Sequence, residues 1–322
     1  MLKDILSDTL LGPISLLNYE DLCEIRLRLM RPTTVNYKNT YYFLGQAGLC
    51  SEKDAIICTK ETLSNVISKA SNYSVYAVND EIKEGFIAVK NGIRIGISGT
   101  VVMQNEHVLT IKDISSINIR IPHQVVGSSL KISKFLFDET GQVLNTLIVG
   151  APGVGKTTIL RDLCLQINKK RKDLNLLLLD ERLEIAGSFE GVAQLNVGNS
   201  TDIISSGKKN LNIVNGIRSM SPNIIIADEI GGLDDIKAIE YAVNCGVTVI
   251  ASVHSKDIYE FQKKVEFVNL IKSRAFKRIV VVSQSHGKGT IENIYNEYLR
   301  PVLEFLWLNL CFCFYYLELL DT

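Results

Sequence analysis

The spacing of apolar residues divides this chain into two textures and a tail. In the first texture the periods are short and mixed. Residues 1–20 carry leucines and isoleucines at helical spacing and predict a helix. From Asp21 to Leu29 the period drops to two. Ile25, Leu27 and Leu29 alternate with Glu24, Arg26 and Arg28, the pattern of a half-buried strand, and Arg31-Pro32 ends it. Val35 to Leu44 predicts a hairpin turning at Lys38-Asn39. Lys60 to Ser71 predicts an amphipathic helix with Leu63, Val66, Ile67 and Ala70 on one face. Tyr73 to Ile82 fits helix and extended chain equally. Gly85–Val89, Ile93–Ile97, Val101–Val108 and Asp113–Ile121 predict short strands with glycines between them, which makes this part an α+β domain.

Gly127 to Phe137 predicts a connecting helix, and the texture then changes. Apolar blocks recur at Leu144–Val149, Leu174–Leu179, Ile224–Ala227, Val247–Ser252 and Ile279–Val282, with helical stretches between them. Continuous apolar strands alternating with helices imply a parallel sheet covered on both faces. The join falls near residues 125–140. The predicted division is an N-terminal domain at 1–130, an α/β domain at 131–296 and an apolar tail at 297–322, with no internal repeat.

The first apolar block runs into Gly150-Ala151-Pro152-Gly153-Val154-Gly155-Lys156-Thr157, a full G-x-x-x-x-G-K-[ST] loop, and Thr158 to Gln166 reads as the helix behind it. Glycines let successive backbone N–H groups turn onto phosphate oxygens, and the helix N-terminus adds partial positive charge. Lys156 would reach the β- and γ-phosphates of ATP, and the Thr157 hydroxyl would bind Mg²⁺. Gly150 to Thr158 is therefore the expected nucleotide-binding stretch.

The Ile224–Ala227 block ends in Asp228-Glu229. Alone, such a pair is also what a helix N-cap looks like. Following a phosphate loop, Asp228 is the expected Mg²⁺ ligand, acting through water. Glu229, on the opposite face of an extended chain, is the expected base that polarises the attacking water. The Val247–Ser252 block ends near His254. Ser252 and His254 are γ-phosphate sensor candidates, although a single histidine is as often structural. Leu176–Leu179 ends in Asp180-Glu181-Arg182, with Glu184 following, at the strand end where open α/β sheets bind ligands; a solvated loop start fits as well. Lys169 to Lys172 reads as a solvated helix end.

Composition narrows the function classes. Of 322 residues, 35 are basic and 35 acidic, and the hydrophobic share of 46% is enough for a packed core. Without a basic excess there is no case for a nucleic-acid coat, and no nucleic-acid partner is expected; a local basic groove stays open. The seven cysteines form no Cys-x-x-Cys pair, so they read as reduced thiols and suggest no zinc site. The N-terminus mixes Lys3, Asp4 and Asp8 among leucines and does not read as a secretory signal.

Several stretches together carry a family likeness: EIRLRLMRP (24–32), the Tyr76–Gly85 segment, GIRIGISGTVV (92–102), DISSINIRIP (113–122), GAPGVGKTT (150–158), DERLEIAG (180–187) and IRSMSPNIIIADEIGG (217–232). In this order, from the N-terminus to near Tyr295, the sequence resembles the stage III sporulation protein AA family of endospore-forming bacteria. That family is similar to the hexameric ATPases of type II and type IV secretion systems. The resemblance implies a RecA-like P-loop NTPase domain behind a smaller α+β domain. It implies ATP hydrolysis with Mg²⁺ in a homo-oligomeric, hexameric ring. The ring would lie in the cytoplasm at the mother-cell side of the membrane and energise a secretion-like channel into the forespore, docking on membrane proteins of that complex. Lys156 and Thr157 match the phosphate loop, Asp228 and Glu229 the Walker B pair, Asp180, Glu181 and Glu184 the acidic box, and His254 the histidine box. Arg120 sits where secretion ATPases carry a phosphate-contacting arginine, and Arg182 and Arg218 are further candidates to act across a subunit interface. Each arginine equally fits an ordinary surface ion pair. The sequence departs from the pattern in having no tetracysteine motif and in the text of residues 199–207.

A nucleic-acid-stimulated ATPase and a non-hydrolysing nucleotide-dependent scaffold are the alternatives. The charge balance argues against the first and the intact Asp228-Glu229 pair against the second. Val302 to Leu320 is almost wholly apolar and as a helix would span ~28 Å, close to a bilayer core. Glu304, Asn309 and Glu318 interrupt it. Membrane contact, burial in a core or interface, and an aberrant terminus remain three readings of it.

Overall fold

The computed structural model describes residues 2–302, and the expectation for the apolar tail falls outside them apart from Val302. Packing divides the chain into two units. Among the described residues, the first comprises 2–124 together with 187–195, and the second comprises 125–186 and 196–302.

The first unit opens with a short 3₁₀ turn at Leu2–Asp4 and the helix α1 (Asp8–Ser15) in place of one long helix; Asn18 then caps a separate 3₁₀ turn at Tyr19–Asp21. Strands β1 (Leu22–Arg28), β2 (Thr34–Tyr37), β3 (Thr40–Gly45) and β4 (Gly48–Cys50) follow. The β2–β3 turn is at Lys38-Asn39, both with positive φ, as a tight hairpin of primed type requires. Helix α2 (Lys60–Ala70) buries Leu63, Val66, Ile67 and Ala70, and Thr59 caps it by accepting the Thr62 N–H at 3.1 Å. The ambiguous segment is helical: a 3₁₀ turn at Val75–Val78 runs into α3 (Asn79–Lys83).

Strands β5 (Phe86–Ala88), β6 (Arg94–Gln104) and β7 (His107–Arg120) complete the sheet. Here the structure corrects the expectation of separate short strands. Val101–Val108 is not one strand: it spans the β6–β7 turn at Asn105-Glu106. Gly99 does not end β6 either. It sits at a bulge where an added Cβ would lie 2.6 Å from the Lys112 carbonyl oxygen. The sheet has seven strands in the order β4-β3-β2-β1-β7-β6-β5, every pair antiparallel. One face packs Ile25, Leu27, Ile95, Ile117 and Ile119 against residues of the helices. The other face is polar.

In the second unit the predicted 127–137 helix is a single turn, α4 (Leu130–Ser133). The N–H groups of Gly127 and Ser129 go to the carboxylate of Asp162, which holds the chain before α4 in a loop. The strands are β8 (Thr146–Gly150), β9 (Leu176–Asp180), β10 (Thr201–Ser205), β11 (Ile224–Ala227), β12 (Thr248–His254), β13 (Arg278–Ser283) and β14 (Thr290–Asn296). The helices are α5 (Lys156–Lys170), α6 (Lys209–Met220), α7 (Leu233–Asn244), α8 (Ile258–Gln262) and α9 (Val268–Lys272). The sheet order is β10-β9-β11-β12-β8-β13-β14, parallel except for the pair β13–β14. Every residue of β8, β9 and β11 is buried. On one face Leu177, Leu179, Ile225 and Val249 pack with Ile213 of α6 and Ile236 and Ile239 of α7. Strand β8 lies between β12 and β13, so its carboxyl end opens at the reversal of strand order where such sheets bind ligands.

Candidate functional site

The loop after β8 turns twice into left-handed backbone, at Gly153 (φ +76°) and Gly155 (φ +103°), before α5 begins at Lys156. Gly155 has a second reason to lack a side chain. A Cβ there would lie 3.3 Å from the Gly289 nitrogen, in the β13–β14 turn. That turn braces the loop: the Gly289 N–H donates to the Val154 carbonyl at 2.7 Å. Residues 152–153 are exposed, while Val154 and Lys156 are buried.

Lys156 directs its ammonium inward. Nζ donates to the carbonyls of Gly150 and Ala151, each at 2.9 Å, and lies 3.1 Å from His254 Nδ1. Burial lowers the pKa of this amine, and the nearby Asp228 and Glu229 carboxylates pull it the other way. Because His254 Nδ1 receives the ammonium, the ring carries its proton on Nε2. That nitrogen meets Glu229 Oε1 at 2.7 Å.

The Thr157 hydroxyl donates to Asp228 Oδ2 at 2.6 Å, and the other carboxylate oxygen accepts from Ser252. Asp228 Oδ1 and the Ser252 hydroxyl oxygen both receive the Glu229 N–H, at 3.0 and 2.9 Å. Ser252 thus organises the Asp228–Glu229 peptide from the next strand. Glu229 does not continue the extended chain, which corrects the face-alternation argument. Its φ is +52°, a left-handed conformation that costs a side-chain-bearing residue about 1–2 kcal/mol. The carbonyl exposed by that turn accepts from Lys209 Nζ at 2.8 Å. The carboxylate is held at both oxygens, by His254 and by Arg182 at 2.6 Å.

The acidic segment after β9 divides its labour. Asp180 is buried and accepts the N–H groups of Glu184, Ile185 and Ala186 at 2.8–3.0 Å, closing the turn from inside. Arg161 of α5 clamps the same turn through the carbonyls of Ile185 and Glu184, each at 2.5 Å. Glu181 faces Lys209 at 3.4 Å. Asp180, Glu181 and Lys209, with Arg182, Glu184, Asp228 and Glu229, line a cavity of about 50 Å³.

Lys156, Thr157, Asp228, Glu229 and His254 therefore meet at one point, and Glu181 joins them through Lys209. The arginines are placed by their own elements. Arg120 ends β7 on the polar face of the first unit's sheet, in register with Glu24 and Arg94. Arg218 is exposed in the last turn of α6, just ahead of β11, at the amino edge of the second sheet and opposite the phosphate loop. Arg182, considered for a contact in trans, pairs with Glu229 of its own chain. Sequence reasoning did not find Lys209, Arg161, Asp162 or Gly289. Nothing local separates Lys209 from Lys208, and all four act through partners distant in sequence.

Comparison with known proteins places this geometry. Residues 3–301 match the family model described as sporulation stage III, protein AA. The stage III sporulation protein AA of Bacillus subtilis (strain 168) is 35% identical over 277 residues, covering 85% of this chain and 86% of that protein. Among solved structures, the pilus retraction motor PilT with bound ADP matches with a TM-score of 0.56 at 14% identity, covering 85% of this chain and 78% of that one. The ATPase DotB of Legionella pneumophila matches with a TM-score of 0.51 at 14% identity, covering 81% and 72%. The fold is thus RecA-like, as in these two proteins, with a mostly parallel sheet in the second unit and a smaller α+β first unit. By the match over nearly its whole length, the chain belongs to the sporulation stage III, protein AA family.

Proposed function

We propose that this chain is the ATP-hydrolysing subunit of a ring-shaped, hexameric motor that energises a secretion-like channel during endospore formation. It would work from the mother-cell side, in the cytoplasm at the membrane, docked on membrane proteins of the channel complex. The observation that carries the reading is the junction of the phosphate loop with the end of β11. Thr157 meets Asp228 at 2.6 Å, with Lys156, His254 and Glu229 in the same network.

The phosphates of ATP would lie on the backbone N–H groups of Gly150 to Thr158, with Lys156 exchanging its two loop carbonyls for phosphate oxygens. A hydroxyl and a carboxylate oxygen side by side are hard donors of the kind Mg²⁺ takes, so Thr157 and Asp228 fit that ion. Bound there, Mg²⁺ supplies charge neutralisation at the β- and γ-phosphates. Glu229 is the base. Arg182 and His254 each take one site on its two oxygens, and releasing either would leave that oxygen more basic toward the attacking water. His254 links Glu229 to the lysine on the γ-phosphate and would report its arrival. Arg120 and Arg218 are the proposed arginines acting across a subunit interface.

The test is phosphate release by the purified full chain with ATP and Mg²⁺, together with its native mass. Glu229→Gln is expected to lower turnover by about 10²–10⁴-fold while ATP binding and ring mass persist. Wild-type turnover in that variant, or turnover that depends on added single-stranded RNA, sinks the reading.

A further inference from the structure

Lys209 is a charged side chain placed where the fold alone would not favour one. It begins α6, so its ammonium faces the positive end of the helix dipole. Its side chain is only 5% exposed, and burying an ammonium costs solvation. A neutral or apolar residue would serve packing better. Two contacts offset these costs: the Glu229 carbonyl oxygen at 2.8 Å and Glu181 Oε2 at 3.4 Å.

The first contact falls on the most constrained peptide of the site. Glu229 is left-handed without being glycine. Its own N–H goes to Asp228 and Ser252, and the following N–H, from Ile230, goes to the Ser252 carbonyl at 2.8 Å. With Lys209 on the carbonyl, the backbone on both sides of the Glu229 Cα is fixed, and the direction of the carboxylate with it. The carboxylate's own partners, Arg182 and His254, are side chains that can swing away. The Lys209 contact is to backbone and does not depend on them.

We propose that Lys209 is the positioning residue of the catalytic glutamate. It holds Glu229 in its left-handed conformation and ties the β9 turn, through Glu181, to the same point. This rests on the reading of Glu229 as the base. It acts through Glu229 and does not itself touch the nucleotide.

The experiment compares Lys209→Met, Lys209→Gln and Lys209→Arg in the full chain, with Glu229→Gln alongside. It measures kcat, KM, the Kd of a fluorescent ATP analogue, and Tm. Lys209→Met is expected to lose about 10²-fold in kcat, the scale set by a misplacement near 1 Å, with KM, Kd and Tm little changed. Lys209→Arg should recover most of the loss and Lys209→Gln part of it, because both keep a donor. Unchanged kcat in Lys209→Met overturns the proposal. So does a parallel loss of kcat, ATP affinity and Tm in all three variants, which would mark a structural role. Wild-type turnover in Glu229→Gln removes the base reading itself, and is recognised by leaving ATP binding intact in every variant.

Discussion

The two units are both built on seven-stranded sheets, and they treat polar side chains in opposite ways. The first sheet is antiparallel with one polar face, so each strand sends every second residue to that face. Glu24 on β1 finds Arg26 on its own strand, Asn118 on β7 and Tyr41 on β3, all within 2.7–3.3 Å. Polar groups there are spread out along the strands. The central strands of the second sheet, β8, β9, β11 and β12, are buried on both faces and admit charge only where they end. Asp180, Asp228 and His254 all stand at or just past a carboxyl end, and the loop after β8 opens among them. Burying both faces concentrates the chemistry at one edge.

If that concentration matters, polar residues at the second sheet's edge act as one unit. Asp228→Asn is expected to lower turnover by about 10²–10³-fold, as losing a key charge-stabilising group does. Ser252→Ala should cost less, because it removes one support of Asp228 and of the Glu229 N–H. The double variant should be no slower than Asp228→Asn, since both substitutions undo the same arrangement. Phosphate-release rates of the three variants test this. Strictly multiplicative losses would mean that the edge is a set of independent contacts, and the contrast between the sheets would lose its point.

This contrast also decides what could be read from sequence. The buried strands β8, β9, β11, β12 and β13 announced themselves as apolar runs. The flanking strands did not. β10 is half-exposed throughout, and β14 carries Glu292 and two asparagines in an edge position. In the first unit the period-two strand β1 and the Lys38-Asn39 turn were legible, whereas β6 and β7 looked broken because Gly99 and Asp113 sit at irregularities inside long strands. At the candidate site, the residues named by the phosphate loop and by Asp228-Glu229 stand in local motifs. The left-handed turn at Glu229 and its support by Lys209 depend on packing between β11 and α6, which leaves no local trace.

A polar group buried in the second unit away from that edge should affect stability and spare turnover. Asp162 is such a group. Burial pushes its carboxyl pKa up, but the bonds from Ser129 and Gly127 outweigh that and bring it below the usual range. Asp162→Asn keeps the shape and weakens charge-assisted bonds to the Gly127 and Ser129 N–H groups and the Ser129 hydroxyl, the last at 2.6 Å. The expected loss is about 1.5–3 kcal/mol, read as a lower urea midpoint with kcat for ATP nearly unchanged. A large fall in kcat at normal stability would show that polar function in this unit extends beyond the strand ends.

The smallest effect is expected on the polar face of the first sheet, and its pH dependence identifies it. Burial raises the pKa of Glu24, and the bonds from Arg26, Asn118 and Tyr41 together more than reverse this, so the folded value lies below that of the unfolded chain. The unfolded chain then takes up this proton first as pH falls. The stabilisation from Glu24 is complete above the unfolded value, about 4.3, and disappears as pH drops through the lower folded value. Glu24→Gln should therefore cost about 1 kcal/mol at pH 7, the scale of a partly screened ion pair, and the gap to wild type should close on acidification below about pH 4. Paired urea titrations at several pH values measure it. A gap that widens in acid would mean that the folded state protonates Glu24 more readily than the unfolded chain. The spread-out face would then carry strain of the kind expected only at the other sheet's edge.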